Sequence, residues 1–177
     1  GAFFKGHTIM VVGGGDAACE EADFLTRYAA KVHLVHRRDQ FRASKIVQQR
    51  VFGNPKIEVL WDTVVEEVLG DSAGLMTHAR LRHLKTDATR DLEATGLFVF
   101  VGFTPNTGII EGHVAHDASG YLLTDATMQT TITGMYAAGD VRAQLTRQVT
   151  TAVGDATTAA IAVEKYLAAR KDAAVAT

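Results

Sequence analysis

The sequence has a single cysteine, Cys19, which excludes an intramolecular disulfide and a cysteine-based metal cluster within these 177 residues. No apolar run approaches the roughly 20 residues that a membrane-spanning helix needs, and the first residues lack the pattern of a signal peptide. The formal net charge of −2 argues against nucleic acid, whose binding depends on a broad basic surface. We therefore expect a cytoplasmic protein that binds neither membrane nor nucleic acid and holds no metal.

Proline is also scarce, with only Pro55 and Pro105, so the 16 glycines mark most of the turns. A hydrophobic content of 47% and a charged content of 21% are typical of a globular protein. The length of 177 residues is compatible with one large domain or two small ones. Residues 102–107, GFTPNT, follow an apolar run and are rich in turn formers, so we predict a domain boundary there.

Residues 9–18, IMVVGGGDAA, have the pattern of a dinucleotide-binding turn. The apolar run at 9–12 predicts a buried parallel strand, and a helix is predicted from residue 16 to residue 30. In Gly13-x-Gly15-x-x-Ala18 the first glycine allows a tight turn, the second lets a pyrophosphate approach the backbone, and the small third residue permits close helix packing. The first amides of the helix would face the phosphate. We therefore predict a phosphate-binding turn made of Gly13, Gly14, Gly15, Asp16, Ala17 and Ala18.

A basic cluster follows the second predicted strand, residues 31–35. About 20 residues after the glycine turn, a dinucleotide site places the group that recognises the adenosine ribose, and an NAD site has Asp or Glu there. Guanidinium groups match a phosphate dianion, so arginines at this point favour the 2′-phosphate of NADPH. Residues 31–50 contain six Lys or Arg and one acid, Asp39. The residues that we assign to this end of the NADPH site are His36, Arg37, Arg38 and Arg42.

The remaining sequence pattern predicts further elements on both sides of the boundary. Before it we predict a helix at 41–52 and strands at 57–61, 63–70, 79–86, 92–94 and 97–101. The middle three of these strands predict an antiparallel meander that crosses over the parallel sheet. After the boundary we predict strands at 120–124, 129–132 and 134–140. A long amphipathic helix is predicted at 146–170, with apolar positions at Val149, Val153, Ala156, Ala160, Val163 and Leu167, and the tail from Lys171 should fray.

Eight segments distributed along the chain are characteristic in combination: GAFFKG, GGGDAACEEA, HRRDQFRASK, NPKIEVLW, VVEEVLGD, GLFVFVGFTPNT, QTTITGMYAAGDV and RQVTTAVGDA. Over almost its whole length the sequence thereby resembles the bacterial type of thioredoxin reductase, an FAD enzyme that uses NADPH. In that family an NADPH domain interrupts an FAD domain. The resemblance implies an α/β fold in which residues 1–103 form a Rossmann-like, three-layer NADPH-binding domain with an antiparallel β-meander. It also implies that residues 104–177 form the C-terminal half of an FAD-binding domain of the same type.

The resemblance further implies a set of FAD contacts in the second half of the chain. Asp140 matches an acid at a strand end, where a carboxylate can accept hydrogen bonds from the ribityl hydroxyls of FAD. Residues 147–149 match those that open the last helix against the flavin. A helix N-terminus stabilises the negative charge that gathers at the flavin N1 and O2 edge on reduction. The implied FAD-binding residues are Gly102, Gly139, Asp140, Arg147, Gln148 and Val149.

The sequence departs from the family pattern at three points. The redox-active Cys-x-x-Cys would lie just upstream of Gly1, and the N-terminal FAD half with its own glycine-rich loop is also absent. We therefore expect the chain to be a fragment that contains no catalytic residue. Cys19 has no partner thiol and is interpreted as a small buried residue. Asp155 stands where the family has a small uncharged residue.

The leading functional hypothesis is an NADPH-dependent thioredoxin reductase. Hydride would pass from NADPH to FAD, and the electrons would then reduce an active-site disulfide and thioredoxin. The family also implies a homodimer. A second hypothesis is a ferredoxin or flavodoxin reductase with NADP, which has the same architecture but lacks the cysteine pair. A third is a truncated, non-catalytic NADPH-binding module.

Overall fold

The computed structural model describes residues 1–175 and divides into two compact units, Gly1–Gly102 and a second unit that begins at Phe103. In the first unit the helices are α1 (Asp16–Leu25) and α2 (Lys45–Gly53). Its strands are β1 (Thr8–Gly13), β2 (Lys31–Val35), β3 (Ile57–Leu60), β4 (Thr63–Gly70), β5 (Met76–His83), β6 (Thr89–Glu93) and β7 (Leu97–Phe100). The second unit contains α3 (Val149–Val175). Short 3-10 helices lie at Ala2–Phe4, Gly108–Ile110 and Gly139–Val141.

The first unit is built on a parallel sheet with the strand order β3-β2-β1-β7. The central strand β1 lies between β2 and β7, so that Val11 is opposite Leu34 on one side and Phe98 on the other. Val11 and Leu34 are fully buried. The apolar runs of β1 and β2 follow from this position, because both faces of a parallel sheet are covered.

Two further layers cover the faces of this sheet. Ile9 and Val11 belong to a core cluster that also contains Ala18, Cys19, Ala22 and Leu25 of α1 and Val47 and Val51 of α2. Met10, Val35 and Leu60 belong to a second cluster, with Ala79 and Leu81 of β5. The alternation of β1 side chains thus places one apolar set against helices and the other against an antiparallel sheet. The predicted three-layer α/β architecture is confirmed.

The antiparallel sheet has the order β4-β5-β6, which is the predicted meander. Its solvent face carries cross-strand ion pairs: Arg80 contacts Glu67 at 2.7 Å and Asp91 at 2.9 Å, and Arg82 contacts Glu66 and Asp87. The register shifts between Val65 and Glu67, where β4 carries an irregularity. This sheet brings β4 alongside the carboxyl ends of the parallel strands.

The helix bounds of the first unit differ from those predicted. α1 ends at Leu25 rather than residue 30, because the chain turns there. Lys56 donates from Nζ to the carbonyls of Thr26 at 2.8 Å and Ala29 at 3.2 Å, which satisfies acceptors beyond the helix end. α2 begins at Lys45 rather than residue 41. The preceding residues are held elsewhere, since Phe41 is buried in the core and the Arg42 amide donates to the Gly14 carbonyl.

The strands predicted for the second unit are wrong in the part of the chain that the structure describes. Only isolated bridges occur there, between His116 and Leu122, Leu122 and Arg142, and Gln129 and Tyr136. The physical reason is a pair of aspartate turns. The Asp117 carboxylate accepts from the amides of Ser119 and Tyr121, and Asp125 accepts from those of Thr127 and Gln129. Such local bonds compete with a sheet ladder.

The predicted long helix is confirmed as α3, although it begins at Val149 and remains helical to Val175, through the segment expected to fray. Of the predicted apolar stripe, only Val163 is on the less exposed side of the helix. Val149, Val153 and Leu167 are 81%, 60% and 56% exposed. The face that packs on the unit is offset and includes the less exposed Ala152, Asp155, Ala159, Ala162 and Tyr166. None of the helices within residues 1–175 combines the length and the apolar character needed to cross a bilayer.

Candidate functional site

The turn after β1 is closed by two small residues. Gly13 has a φ of 153°, and a Cβ there would lie 2.5 Å from both the Phe100 carbonyl oxygen and the Ala18 Cβ. Ala18 is fully buried. The start of α1 therefore lies directly against the ends of β1 and β7, and this approach requires a glycine followed by a small residue five positions later.

The next two glycines face different surroundings. A Cβ on Gly14 would collide with the imidazole ring of His36, whereas a Cβ on Gly15 would meet no atom within 4 Å. Gly15 is the N-cap of α1, and no side chain caps that helix end. The first amides of α1 are therefore left without an intrahelical or capping partner. The backbone at Gly15 offers both space and donors to an anion.

Two hydrogen bonds join the glycine turn to the basic segment. The Arg42 amide donates to the Gly14 carbonyl at 2.7 Å, and the Ser44 amide donates to Asp16 Oδ1 at 2.8 Å. The bonds from Ser44 lower the pKa of Asp16, which keeps this carboxylate ionised and engaged with the start of α2. The neighbouring Ala17 is exposed in the first turn of α1. The loop that carries the arginines is thus fixed against the phosphate-binding turn.

The arginines at the end of β2 are exposed and unpaired. Within residues 1–175, the guanidinium groups of Arg37, Arg38 and Arg42 have no ion-pair or hydrogen-bond partner. Arg37 and Arg42 line a cavity of about 590 Å³ that also includes Gly13 and Gly14. Its remaining walls come from His36, the ends of β1, β2 and β7, and residues 63–68 of β4. The structure therefore brings the glycine turn and two of the predicted arginines to one cavity, while Arg38 lies outside its lining.

His36 is placed differently from the arginines beside it. Its residue is only 7% exposed, and its Nε2 lies 3.0 Å from the Gln40 carbonyl oxygen. The ring packs near Phe41 and Trp61, with centroid distances of 5.5 and 6.1 Å. Burial lowers the pKa of His36, which favours the neutral imidazole. The ring therefore packs against Gly14 and adds no positive charge to the neighbouring arginines.

In the second unit, the predicted Gly139-Asp140 pair forms a 3-10 turn held against α3. Gly139 has a φ of 78°, and a Cβ there would lie 3.3 Å from the Ala152 Cβ. Its amide donates to Asp155 Oδ2 at 3.1 Å, and the same oxygen contacts Arg142 Nη1 at 2.7 Å. The side chains of Asp155 and Arg142 are each 13% exposed. Gln144 completes the arrangement by donating to the Gly139 carbonyl at 2.9 Å.

Asp140 and Arg147 lie together on a cavity of about 250 Å³ in this unit. The Arg147 guanidinium carbon lies 3.8 Å from the centroid of the Tyr121 ring, and the Arg147 Nε is buried without a hydrogen-bond partner among the described residues. Gln148 and Val149 are exposed residues at the start of α3 and do not line this cavity. Gly102, with a φ of 92°, is the last residue of the first unit.

Sequence reasoning missed two contributors to these sites. The β4 residues that wall the larger cavity carry no motif, and only the folding of the antiparallel sheet brings them there. Asp155 departs from the family pattern, and its carboxylate accepts the hydrogen bond from the Gly139 amide that holds this turn against α3. Its spacing gave a usable signal, because Asp155 stands three residues after Ala152 and four before Ala159, on the packed face of α3.

Comparison with known sequences identifies relatives for the whole described fold. The sequence model described as "Pyridine nucleotide-disulphide oxidoreductase" matches residues 4–156. Thioredoxin reductase from Streptomyces coelicolor is 47% identical over 97% of this chain and 53% of its own length. NADPH-dependent thioredoxin reductase 3 from Arabidopsis thaliana is 48% identical over 93% of this chain and 31% of its own length.

Solved structures give the same result. The crystal structure of thioredoxin reductase from Streptococcus pyogenes is 44% identical, with a TM-score of 0.77 over 95% of this chain and 55% of that chain. The chain spans about half the length of the bacterial thioredoxin reductases that it matches. Since the family match extends over most of the sequence and the fold agrees, the chain belongs to the pyridine nucleotide-disulphide oxidoreductase family.

Proposed function

We propose that the first unit binds NADPH and that the chain is part of a thioredoxin reductase. FAD and NADPH are the cofactors of thioredoxin reductases and of this family. In the proposal, residues 1–103 form the NADPH-binding domain and residues 104–177 contribute to an FAD-binding domain. The observation that carries it is the cavity on which Gly13 and Gly14 of the glycine turn meet the exposed Arg37 and Arg42, with the open Gly15 next in the chain.

The residues of the first unit fit the two charged parts of NADPH. The pyrophosphate would lie at Gly15, where the backbone is open and the first amides of α1 have no other acceptor. The 2′-phosphate would lie at Arg37, Arg38 and Arg42, whose guanidinium groups have no acidic partner among the described residues. His36 would hold the glycine turn in place by packing against Gly14. The position directly after β2, where an NAD site would have the acid that binds the ribose hydroxyls, is occupied by His36.

The second unit offers fewer groups, and they suit FAD. Asp140 supplies a carboxylate for hydroxyl groups, and the buried Nε of Arg147 supplies a donor that lacks a protein acceptor in residues 1–175. Gln148 and Val149 stand at the N-terminus of α3, whose positive dipole end favours negative charge. FAD, when bound, accepts a hydride from NADPH. The role of these residues is to hold and orient the flavin.

For the whole protein we propose the reaction of a thioredoxin reductase, in which electrons from NADPH pass through FAD to a disulfide and then to thioredoxin. The similarity to named thioredoxin reductases at 44% to 48% identity supports this activity. We also propose that the whole protein is a homodimer and that it is located in the cytoplasm. Both rest on the family resemblance and the composition of the sequence.

The test is a change of Arg37 and Arg38 to glutamine, with binding of NADPH and NADH measured for each protein. We expect NADPH affinity to fall about tenfold for each arginine, because a charge-assisted contact to the phosphate is lost, and NADH affinity to change little. Trp61 is the only tryptophan, so the change in its fluorescence on addition of nucleotide comes from a single residue and provides the titration signal.

Arg50→Gln is the matched control, because Arg50 belongs to the same basic segment and lies exposed on α2. It should leave both affinities unchanged. Equal weakening of NADPH and NADH in the Arg37 and Arg38 variants would contradict the assignment of the 2′-phosphate to these residues.

A further inference from the structure

Asp39 is out of place in a site for a phosphate dianion. It is the only acid in residues 31–50 and directly follows Arg38. A carboxylate at this point would repel the 2′-phosphate and could pair with an arginine that the phosphate needs. Asp62 brings a second carboxylate to the same region, since its amide donates to the Arg38 carbonyl at 3.2 Å.

Lys85 contacts both of these carboxylates. It lies in the turn between β5 and β6, and its Nζ is 2.8 Å from Asp62 Oδ2 and 3.4 Å from Asp39 Oδ2. The hydrogen bond to Asp62 raises the pKa of Lys85, with a smaller effect from Asp39, so the ammonium form is favoured. Neither Asp39 nor Asp62 has another cationic partner within residues 1–175.

The backbone holds the same three segments together. Asp62 has a φ of 50°, in the left-handed region, and its carbonyl accepts from the Leu84 amide at 2.6 Å. Its own amide is bonded to Arg38, so Asp62 joins the β5–β6 turn to the basic loop. The lysine is therefore fixed beside the loop by main-chain bonds as well as by charge.

We propose that Lys85 is a positioning residue that determines the preference for NADPH over NADH. It neutralises Asp39 and Asp62, so that the guanidinium groups of Arg37, Arg38 and Arg42 remain available to the 2′-phosphate. This inference rests on the proposed NADPH site. It adds a residue that lies 43 to 48 positions away in sequence from the arginines and whose ion pairs are both outside the glycine turn.

The experiment measures NADPH and NADH dissociation constants for the 177-residue chain with Lys85→Met, Lys85→Arg and the double change Lys85→Met with Asp39→Asn. Lys85→Met should weaken NADPH about threefold to fivefold at low ionic strength and leave NADH unchanged, as expected for an exposed charge. Lys85→Arg should keep wild-type affinity. Adding Asp39→Asn should restore part of the NADPH affinity, because one of the two carboxylates that Lys85 neutralised is gone while Asp62 remains. Raising the salt concentration should reduce the difference in NADPH affinity between Lys85→Met and the wild-type chain, because salt screens exposed charges.

Lys5→Met removes the same charge at an exposed position without an ion-pair partner in the described residues, and it should change neither affinity. Unchanged NADPH affinity in Lys85→Met would overturn the inference. Equal loss of NADPH and NADH without rescue by Asp39→Asn would also overturn it, since it would show a purely structural role. If the wild-type chain itself does not prefer NADPH, the proposed cofactor site fails as well, which separates the two failures.

Discussion

At the scale of single residues, the three consecutive glycines exclude a side chain for three different reasons. Gly13 lies in a positive-φ conformation against Phe100 and Ala18, which is a backbone and packing requirement. At Gly14, the His36 ring fills the space that a side chain would need. Gly15 alone borders open space, so no atom of the described fold excludes a side chain there, and glycine also suits the N-cap position that it holds. The proposed pyrophosphate would occupy that open space.

This difference predicts the outcome of substituting neighbouring glycines. Gly15→Val should lower the free energy of unfolding by no more than about 1 kcal/mol, because the extended backbone accepts a β-branched residue although valine is a poorer N-cap than glycine. It should weaken NADPH binding at least about tenfold by filling the phosphate position. Gly14→Ala, one residue away, should instead destabilise the first unit by about 1 to 3 kcal/mol through its collision with His36.

Urea unfolding and NADPH titration of the two variants would separate these effects. Retained NADPH affinity in a folded Gly15→Val protein would contradict the assignment of the pyrophosphate to this turn.

At the scale of elements, α3 shows how a helix can be predicted correctly and oriented wrongly. Its sequence contains two sets of small and apolar residues, and the more apolar set, with Val149, Val153 and Leu167, is the exposed one. The packed set includes Asp155, which the unit buries because the carboxylate has two donors, Arg142 and the Gly139 amide. The packed face can include this acid because both contacts satisfy its carboxylate, so hydrophobicity alone does not identify the face.

Asp155→Asn should therefore destabilise the second unit by about 1.5 to 3 kcal/mol, since the change removes the charge that Arg142 and Gly139 share. Circular dichroism at 222 nm during urea unfolding would measure it, because α3 is the longest helix of the described chain. Glu164→Gln, on the exposed side of the same helix, should leave the unfolding midpoint unchanged. Equal behaviour of the two variants would show that the Asp155 contacts contribute no stability.

At the scale of the whole molecule, the 177 residues contain a proposed NADPH site but only one thiol. Cys19 is buried, and burial raises its pKa to about 11, so it is an unreactive core residue of α1. Reduction of a disulfide substrate in this family's manner needs a pair of cysteines that alternate between dithiol and disulfide. This chain cannot form such a pair within itself.

The 177-residue chain should therefore bind NADPH without oxidising it in the presence of thioredoxin. An assay at 340 nm with oxidised thioredoxin as the disulfide substrate would measure the turnover, with an intact thioredoxin reductase as the positive control. Thioredoxin-dependent consumption of NADPH by the chain would show that a single cysteine suffices, and it would contradict this account.

The sequence alone determined the parts of this protein that depend on local pattern. The apolar runs of β1 and β2, the glycine turn between β1 and α1, and the arginines after β2 could be predicted because strand ends and turns are specified by neighbouring residues. The order of these elements predicted a parallel sheet crossed by an antiparallel meander, and the resemblance to thioredoxin reductases implied the three-layer α/β fold. That the turn and the arginines bind NADPH stays a prediction.

Contacts between residues that are far apart in the sequence could be identified only in the folded protein. The packing of His36 against Gly14, the contacts of Lys85 with Asp39 and Asp62, and the packed face of α3 depend on partners 13 to 46 residues away. No local periodicity encodes such partners, because their energies come from desolvated or paired charges and close ring contacts that exist only once the layers are assembled.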